Sequence, residues 1–129
     1  MKFIDQLKEK AKQNKKTIVL PETSDMRTIE AAGKVLAEGI ANIILVGDKE
    51  DIMSRAGDID LSGASFVDPK NYEKFDEYVD AFVEMRRKKG MTEARAKELL
   101  LTNPLYFGCM MVKQDDADGM VAGAINASA

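Results

Sequence analysis

The sequence predicts an α/β fold, a parallel sheet with helices on both faces, and two observations carry that expectation. Short β-branched and apolar runs alternate with longer segments in which apolar residues return every three or four positions. One of the short runs, 41–46 (ANIILV), is apolar throughout, the pattern of a strand buried on both faces of a parallel sheet.

Taken in order, residues 1–14 place Phe3, Ile4, Leu7 and Ala11 on one stripe with Lys2, Lys8, Lys10 and Lys12 around it, which predicts an amphipathic helix with a solvated lysine face. Residues 17–20 (TIVL), closed by Pro21, read as the first strand. Ser24 or Asp25 can cap the next helix, which would bury Ile29, Ala32 and Leu36 and stop at Gly39. After the 41–46 strand, Gly47 and Asp48 turn the chain into a short helix over 49–56. The polar stretch 57–63 leads to a third strand at 64–67, ahead of Asp68 and Pro69. From Asn71, the spacing of Tyr72, Phe75, Val79, Phe82 and Met85 describes a long helix. It ends in Arg86-Arg87-Lys88-Lys89 and Gly90, cations and a glycine being a routine stop. Thr92 can cap a helix through 101, and Asn103-Pro104 starts another that carries Leu105, Phe107, Met110 and Met111. A last strand at 120–122 lies between Gly119 and Gly123.

Composition narrows the function. The chain has 129 residues, 45 % of them hydrophobic and 32 % charged, which suits one α/β domain spanning 1–129. A net charge of -3 with 19 dispersed Lys and Arg argues against nucleic acid as a partner. The first sixteen residues lack the apolar core of a signal peptide and no stretch is long enough to cross a bilayer, so a cytoplasmic location without membrane contact is expected. With no histidine and the single Cys109, zinc and haem ligand sets and His–Asp pairs are excluded within this chain, and no metal is expected. Cys109, between Gly108 and Met110 on an apolar helix, reads as a small buried residue.

In parallel sheets ligands gather beyond the C-terminal ends of the strands. Those exits are Pro21-Glu22, Gly47-Asp48, Asp68-Pro69 and Gly123 onward. The final stretch is the most informative, since a strand, a glycine and a helix start form an anion cradle of unpaired N–H groups at the positive end of a dipole. Asn126, Ser128 and the backbone near Gly123 could bind phosphate or an acyl carbonyl, or could cap a helix start without ligand. Glu22, Asp25 and Arg27 could line the cleft, and Asp25 with Arg27 could equally cap and charge the helix start. Asp118 reads as a turn residue and Lys88 and Lys89 as solvated cations.

Four motifs in the same order carry a resemblance: Leu20-Pro21-Glu22 with Asp25, Arg27, Ala31 and Ala32; 86–92 (RRKKGMT); 106–113 (YFGCMMVK); and 117–124 (ADGMVAGA). Together they resemble the phosphate acetyltransferase (phosphotransacetylase) family of the phosphate acetyl/butyryltransferase superfamily. The resemblance implies reversible transfer of an acetyl group between coenzyme A and inorganic phosphate, with acetyl-CoA and acetyl phosphate as the acyl carriers in acetate metabolism. Coenzyme A would be a substrate, and no covalently bound cofactor is implied. Arg86, or Arg87 if the register slips by one, sits where the family carries an anion-binding arginine; from sequence alone a helix C-terminal cation is the simpler reading. The resemblance also implies two α/β domains with the active site between them, and a homodimer. The chain then matches the larger part of the first domain, with the second domain, the C-terminal segment and the catalytic base lying outside it. Such a piece is expected to be inactive alone. Asn126-Ala127-Ser128 stands where the family commonly has His-Ser-Thr, which leaves phosphate butyryltransferase as an alternative for the acyl group, and a non-catalytic anion-binding α/β module as another.

Overall fold

The computed structural model describes residues 14–122; the expected helix over 1–14 and Gly123, Asn126 and Ser128 lie outside the described residues, apart from Asn14 itself. Four strands, β1 (Lys16–Leu20), β2 (Ala41–Val46), β3 (Ser65–Val67) and β4 (Gly119–Met120), form one parallel sheet in the order β3-β2-β1-β4. Between them run α1 (Met26–Glu38), α2 (Lys49–Ala56), α3 (Phe75–Met85), α4 (Glu93–Thr102) and α5 (Pro104–Lys113). The predicted architecture of a parallel sheet with two covered faces is the one observed.

The twofold alternation of strand side chains sends β2 into two cores. Ile43 and Leu45 pack with Leu20, with Ile29 and Ala32 of α1 and with Ile52 of α2. Ile44 and Val46 pack on the other face with Val19 and with Tyr78, Phe82, Leu100, Phe107 and Met111 of α3, α4 and α5. Each large apolar side chain buried in this way contributes roughly 1.5–3 kcal/mol.

Local chemistry sets the ends of the helices. Asp25, rather than Ser24, caps α1 by accepting from the Arg27 N–H at 2.9 Å, and Gly39 ends it at φ 66. Asp48, Thr92 and Asn103 cap α2, α4 and α5 in the same manner. The expected helix from Asn71 is corrected. Asp68 caps a 3₁₀ turn over Pro69–Asn71, Tyr72 is extended at φ -96 and ψ 125, and α3 begins only at Phe75. Tyr72 keeps its place in the apolar face because its ring packs edge-on against Tyr78 and Phe107 at 5.2 and 5.6 Å between centroids. The first ends are also shifted by one residue in β1 and β3, as is usual where pairing frays.

The last strand differs more. Sequence places it at 120–122, whereas the ladder joins Gly119 and Met120 to Ile18 and Val19 of β1. Pairing is extended by the Asp118 N–H donating to Thr17 O at 2.7 Å and the Val121 N–H donating to Val19 O at 3.1 Å. Asp118 is therefore more than a turn residue, since its carboxylate also accepts from the Thr17 N–H at 2.7 Å.

The turn from α5 into β4 is held from outside as well. Asp115 takes a left-handed conformation at φ 63. Asp116 accepts hydrogen bonds from Lys74 Nζ at 2.6 Å and Tyr78 Oη at 2.5 Å, and Tyr72 Oη lies 3.2 Å from Tyr78 Oη. Burial pushes the Asp116 pKa upward, but the bonds from Lys74 and Tyr78 outweigh it and hold the carboxyl below its ordinary value. Burial first, and then the bonds to Asp116 and Tyr72, push the Tyr78 phenol far above its usual range.

Candidate functional site

In the order β3-β2-β1-β4 the chain builds outward from β1 in one direction and then returns to its other side, so the topological switch point lies between β1 and β4. Ligands of open α/β sheets bind in the crevice beyond such a point. Here that crevice is bordered by the β1 exit, Pro21 and Glu22, and by the β4 exit, Val121 and Ala122, with Val121 61 % exposed. The segment that follows Ala122 carries Gly123, Asn126 and Ser128, three of the expected site residues, beyond the described part.

One wall of the crevice is α5. Gly108 approaches so closely that a Cβ there would lie 2.8 Å from Met120 Sδ and 3.3 Å from Pro21 Cβ, so only glycine lets α5 touch both strand exits. Tyr106 lies two residues nearer the start of α5, about 3 Å along the axis. Over its ring sits Arg86, the residue after α3, whose guanidinium carbon is 5.9 Å from the Tyr106 centroid and 5.7 Å from that of Phe82. The two rings, 5.5 Å apart, orient the guanidinium by cation–π attraction. Among the described residues no carboxylate forms an ion pair with Arg86. Arg87 is different: it is exposed and pairs with Glu84 one turn back.

Sequence grouped Glu22, Asp25 and Arg27, and the structure brings them together at the β1 exit. Glu22 is 5 % exposed and its carbonyl accepts from the Asp25 N–H at 3.1 Å. Asp25 receives a fork from Arg27, through Nε at 3.2 Å and the terminal nitrogen at 2.7 Å. The hydrogen bond from Arg27 lowers the Asp25 pKa, and Asp25 first, with Glu22 last, raises that of Arg27. The structure shows the capping reading of Asp25, since one carboxylate caps α1 and pairs with Arg27.

Beside the switch point a cleft of about 370 Å³ opens over the exits of β1, β2 and β3. Thr23 and Ser24, Gly47 and Asp48, and Pro69 and Lys70 line it, with Leu100, Leu101 and Pro104 as the wall from α4 and α5. Thr23 Oγ1 donates to Val46 O at 2.6 Å and Arg55 donates to Thr23 O at 2.8 Å, which ties the β1 exit to β2 and α2. Asp48 and Asp68 already occupy the first-turn N–H groups at the rim, and Lys70 is the cation among the lining residues. The cleft thus sets the polar side chains of Thr23, Ser24, Asp48, Asp68 and Lys70 opposite an apolar wall. Sequence did not single out Thr23, Lys70, Leu100, Leu101 or Pro104. Lys70 and Thr23 adjoin marked exits, whereas Leu100 and Leu101 carried no signal beyond helix spacing.

The larger cavity, about 640 Å³, opens at the other end of the sheet between α1 and the start of β2, lined by Gly33, Ala37, Gly39 and Ala41. It lies away from the strand exits that bind ligands in this class of sheet. Cys109, expected buried, is exposed, because the face of α5 that meets the sheet is the one carrying Gly108 and Met111. Among the described residues no group of His, Cys, Asp or Glu is arranged to hold a metal ion, and no helix is long and apolar enough to cross a membrane.

The chain matches the phosphate acetyl/butaryl transferase family over residues 2–129. It belongs to that family. Over all 129 residues it is 49 % identical to the phosphate acetyltransferase of Acetivibrio thermocellus and 50 % identical to that of Thermoanaerobacterium thermosaccharolyticum, and it spans 39 % of the length of each. Among solved structures, the EutD phosphotransacetylase from Staphylococcus aureus superimposes with a TM-score of 0.80 at 38 % identity, over 95 % of this chain and 37 % of that one. A phosphotransacetylase from Streptococcus pyogenes does so with a TM-score of 0.80 at 35 % identity and the same coverage. These two structures thus share the parallel fold described above.

Proposed function

We propose that this chain is the N-terminal part of the first domain of a phosphate acetyltransferase, and that the complete protein catalyses acetyl-CoA + phosphate ⇌ CoA + acetyl phosphate. The observation that carries the proposal is identity of about half over the whole chain to two proteins that bear that name. Their shared name also favours acetyl over butyryl as the acyl group.

The reaction gathers negative charge. In the direction of acetyl-CoA formation, the thiolate sulfur of coenzyme A attacks the acetyl carbonyl carbon and a C–S bond forms. The C–O bond to phosphate then breaks, and phosphate leaves with the electron pair. The thiol proton must pass to a base, and phosphates of both substrates must be held without mutual repulsion. Arg86, drawn to two aromatic rings and free of ion pairing among the described residues, suits a phosphate, with Arg87 beside it. Gly123, Asn126 and Ser128, following the β4 exit, hold the transferred phosphate or the acyl carbonyl. Glu22, Asp25 and Arg27 line the crevice from the β1 side, and the cleft beside them takes an uncharged part of coenzyme A against its wall of Leu100, Leu101 and Pro104. The base and the facing wall come from the rest of the protein, so the chain alone is inactive. The complete protein is a cytoplasmic homodimer that takes coenzyme A as substrate and has no nucleic acid or membrane partner.

The test is thioester formation from acetyl phosphate and coenzyme A by the complete protein, with Arg86→Ala beside it. Loss of a charged hydrogen bond predicts a fall in kcat/KM of about tenfold to a hundredfold. Wild-type turnover of butyryl phosphate faster than acetyl phosphate would reject the acetyl assignment, and ligand binding without any transfer would reject catalysis.

A further inference from the structure

The cluster of Lys74, Tyr72, Tyr78 and Asp116 is built with a completeness that the crevice alone does not require. Tyr78 is fully buried, and its hydroxyl and the Lys74 ammonium converge on the two oxygens of one carboxylate at 2.5 and 2.6 Å. Tyr72 Oη, 3.2 Å from Tyr78 Oη, completes the polar groups facing that carboxylate. The residue it fixes is only three positions before Gly119, in a turn that already holds Asp115 at a positive φ. The following strand pairs with β1 through two ladder residues, supplemented by the two-way link of Asp118 to Thr17. So short a ladder gives little rigidity of its own. The direction in which β4 points is therefore set at its start, by Asp118 against β1 and by Asp116 against α3.

We propose that Asp116 is a positioning residue: bound to Lys74 and Tyr78, it anchors the α5–β4 turn to the start of α3 and thereby aims the β4 exit at the crevice beside β1. Lys74 and Tyr78 are the other half of the same anchor, and Tyr72 holds the Tyr78 hydroxyl in place. The functional consequence rests on the acetyl-transfer reading of the crevice, whereas the structural consequence does not. In the complete enzyme the anchor affects the substrate bound at the β4 exit, acetyl phosphate on that reading, more than it affects coenzyme A.

Two measurements separate these consequences. In the 129-residue chain, amide resonances of the folded Tyr78→Phe and Asp116→Asn variants are compared with wild type. Displaced or broadened signals at Gly119, Met120 and Val121, with Ile43, Ile44 and Leu45 unmoved, are expected; unmoved signals at Gly119 to Val121 overturn the proposal. In the complete protein, both variants are expected to raise KM for acetyl phosphate at least fivefold while KM for coenzyme A stays within twofold. An Asp76→Asn control, exposed in the first turn of α3, should leave both constants unchanged. Equal changes in both KM values, or an activity loss that merely follows loss of folded protein, assign Asp116 to general stability and overturn positioning. A wild-type protein that transfers no acetyl group rejects the functional reading, and the resonance experiment still decides whether Asp116 aims β4.

Discussion

Replacing Gly108 by alanine tests how α5 meets the sheet. In an uncrowded helix interior this change stabilises by about 1 kcal/mol, because glycine gives up more backbone freedom than alanine. Here the new methyl would lie 2.8 Å from Met120 Sδ and 3.3 Å from both Cβ and Cγ of Pro21. Ordinary contacts fall near 3.5–4.0 Å, so the overlap is of the order of 1 Å with the sulfur and a few tenths of an ångström with the ring. Met120 can swing aside, whereas Pro21 is fully buried at the end of β1 and has nowhere to go. Overpacking of this kind costs about 1–3 kcal/mol, which exceeds the helix gain and leaves a net loss of about 1 kcal/mol. Urea unfolding followed by circular dichroism should show a lower midpoint at unchanged slope, and thermal unfolding a midpoint lower by about 3–5 °C. In a Met120→Ala background part of the loss should vanish, the remainder being the contact with Pro21. A Gly108→Ala protein more stable than wild type would refute the reasoning, since it would mean that α5 is not pressed against the strand exits.

Tyr78→Phe removes a buried hydrogen bond to a carboxylate and should cost about 1.5–3 kcal/mol in urea unfolding near neutral pH. Its pH dependence has a defined sign. The folded-state pKa of Tyr78 is raised above the ordinary 10.0, so its contribution is complete below that pH and is lost as pH rises beyond it; the variant should show a flatter alkaline limb. Asp116 behaves in the opposite sense, since its folded pKa lies below the ordinary 3.8, and its contribution should disappear as pH falls below about 4, a loss absent in Asp116→Asn. Gly39→Ala places a Cβ at φ 66, where space is open but the backbone is strained, and should cost about 1 kcal/mol in the same unfolding assay. Cys109, being exposed, should react with a maleimide in the native chain at a rate near that of a free thiol, and a requirement for denaturant would contradict its position on α5.

Much of the fold was legible because it is written at short range. The apolar run at 41–46, the three- and four-residue spacing of Val79 and Phe82, and the glycine at 39 each report one element and its limits. The second core face was legible in the same way, since a run apolar at every position demands cover on both sides. Glu22, Asp25 and Arg27 were grouped because strand exits collect ligands, and the structure joins Arg27 to Asp25 by a bifurcated contact and Asp25 to the Glu22 carbonyl through its N–H. Arg86 was marked as a cation after a helix, with no means of telling that two rings would hold it. Tyr72 was misplaced in a helix because its spacing suits one, although Asp68 and Pro69 locally impose a 3₁₀ turn.

By itself, then, the sequence determined the α/β class, the succession of strands and helices across the described residues, the ends at Gly39 and Thr92 and the exits of the first three strands, because propensity, periodicity and capping depend on neighbours within a turn or two of chain. Only the tertiary structure decided that β4 returns beside β1, which places the switch point, and that Asp118 meets Thr17 across 101 positions. It also decided that Gly108 faces Pro21, that Arg86 lies on Tyr106 and that Cys109 faces outward. An amphipathic pattern states that a face must be covered, while the identity of the cover follows from how all the elements pack at once.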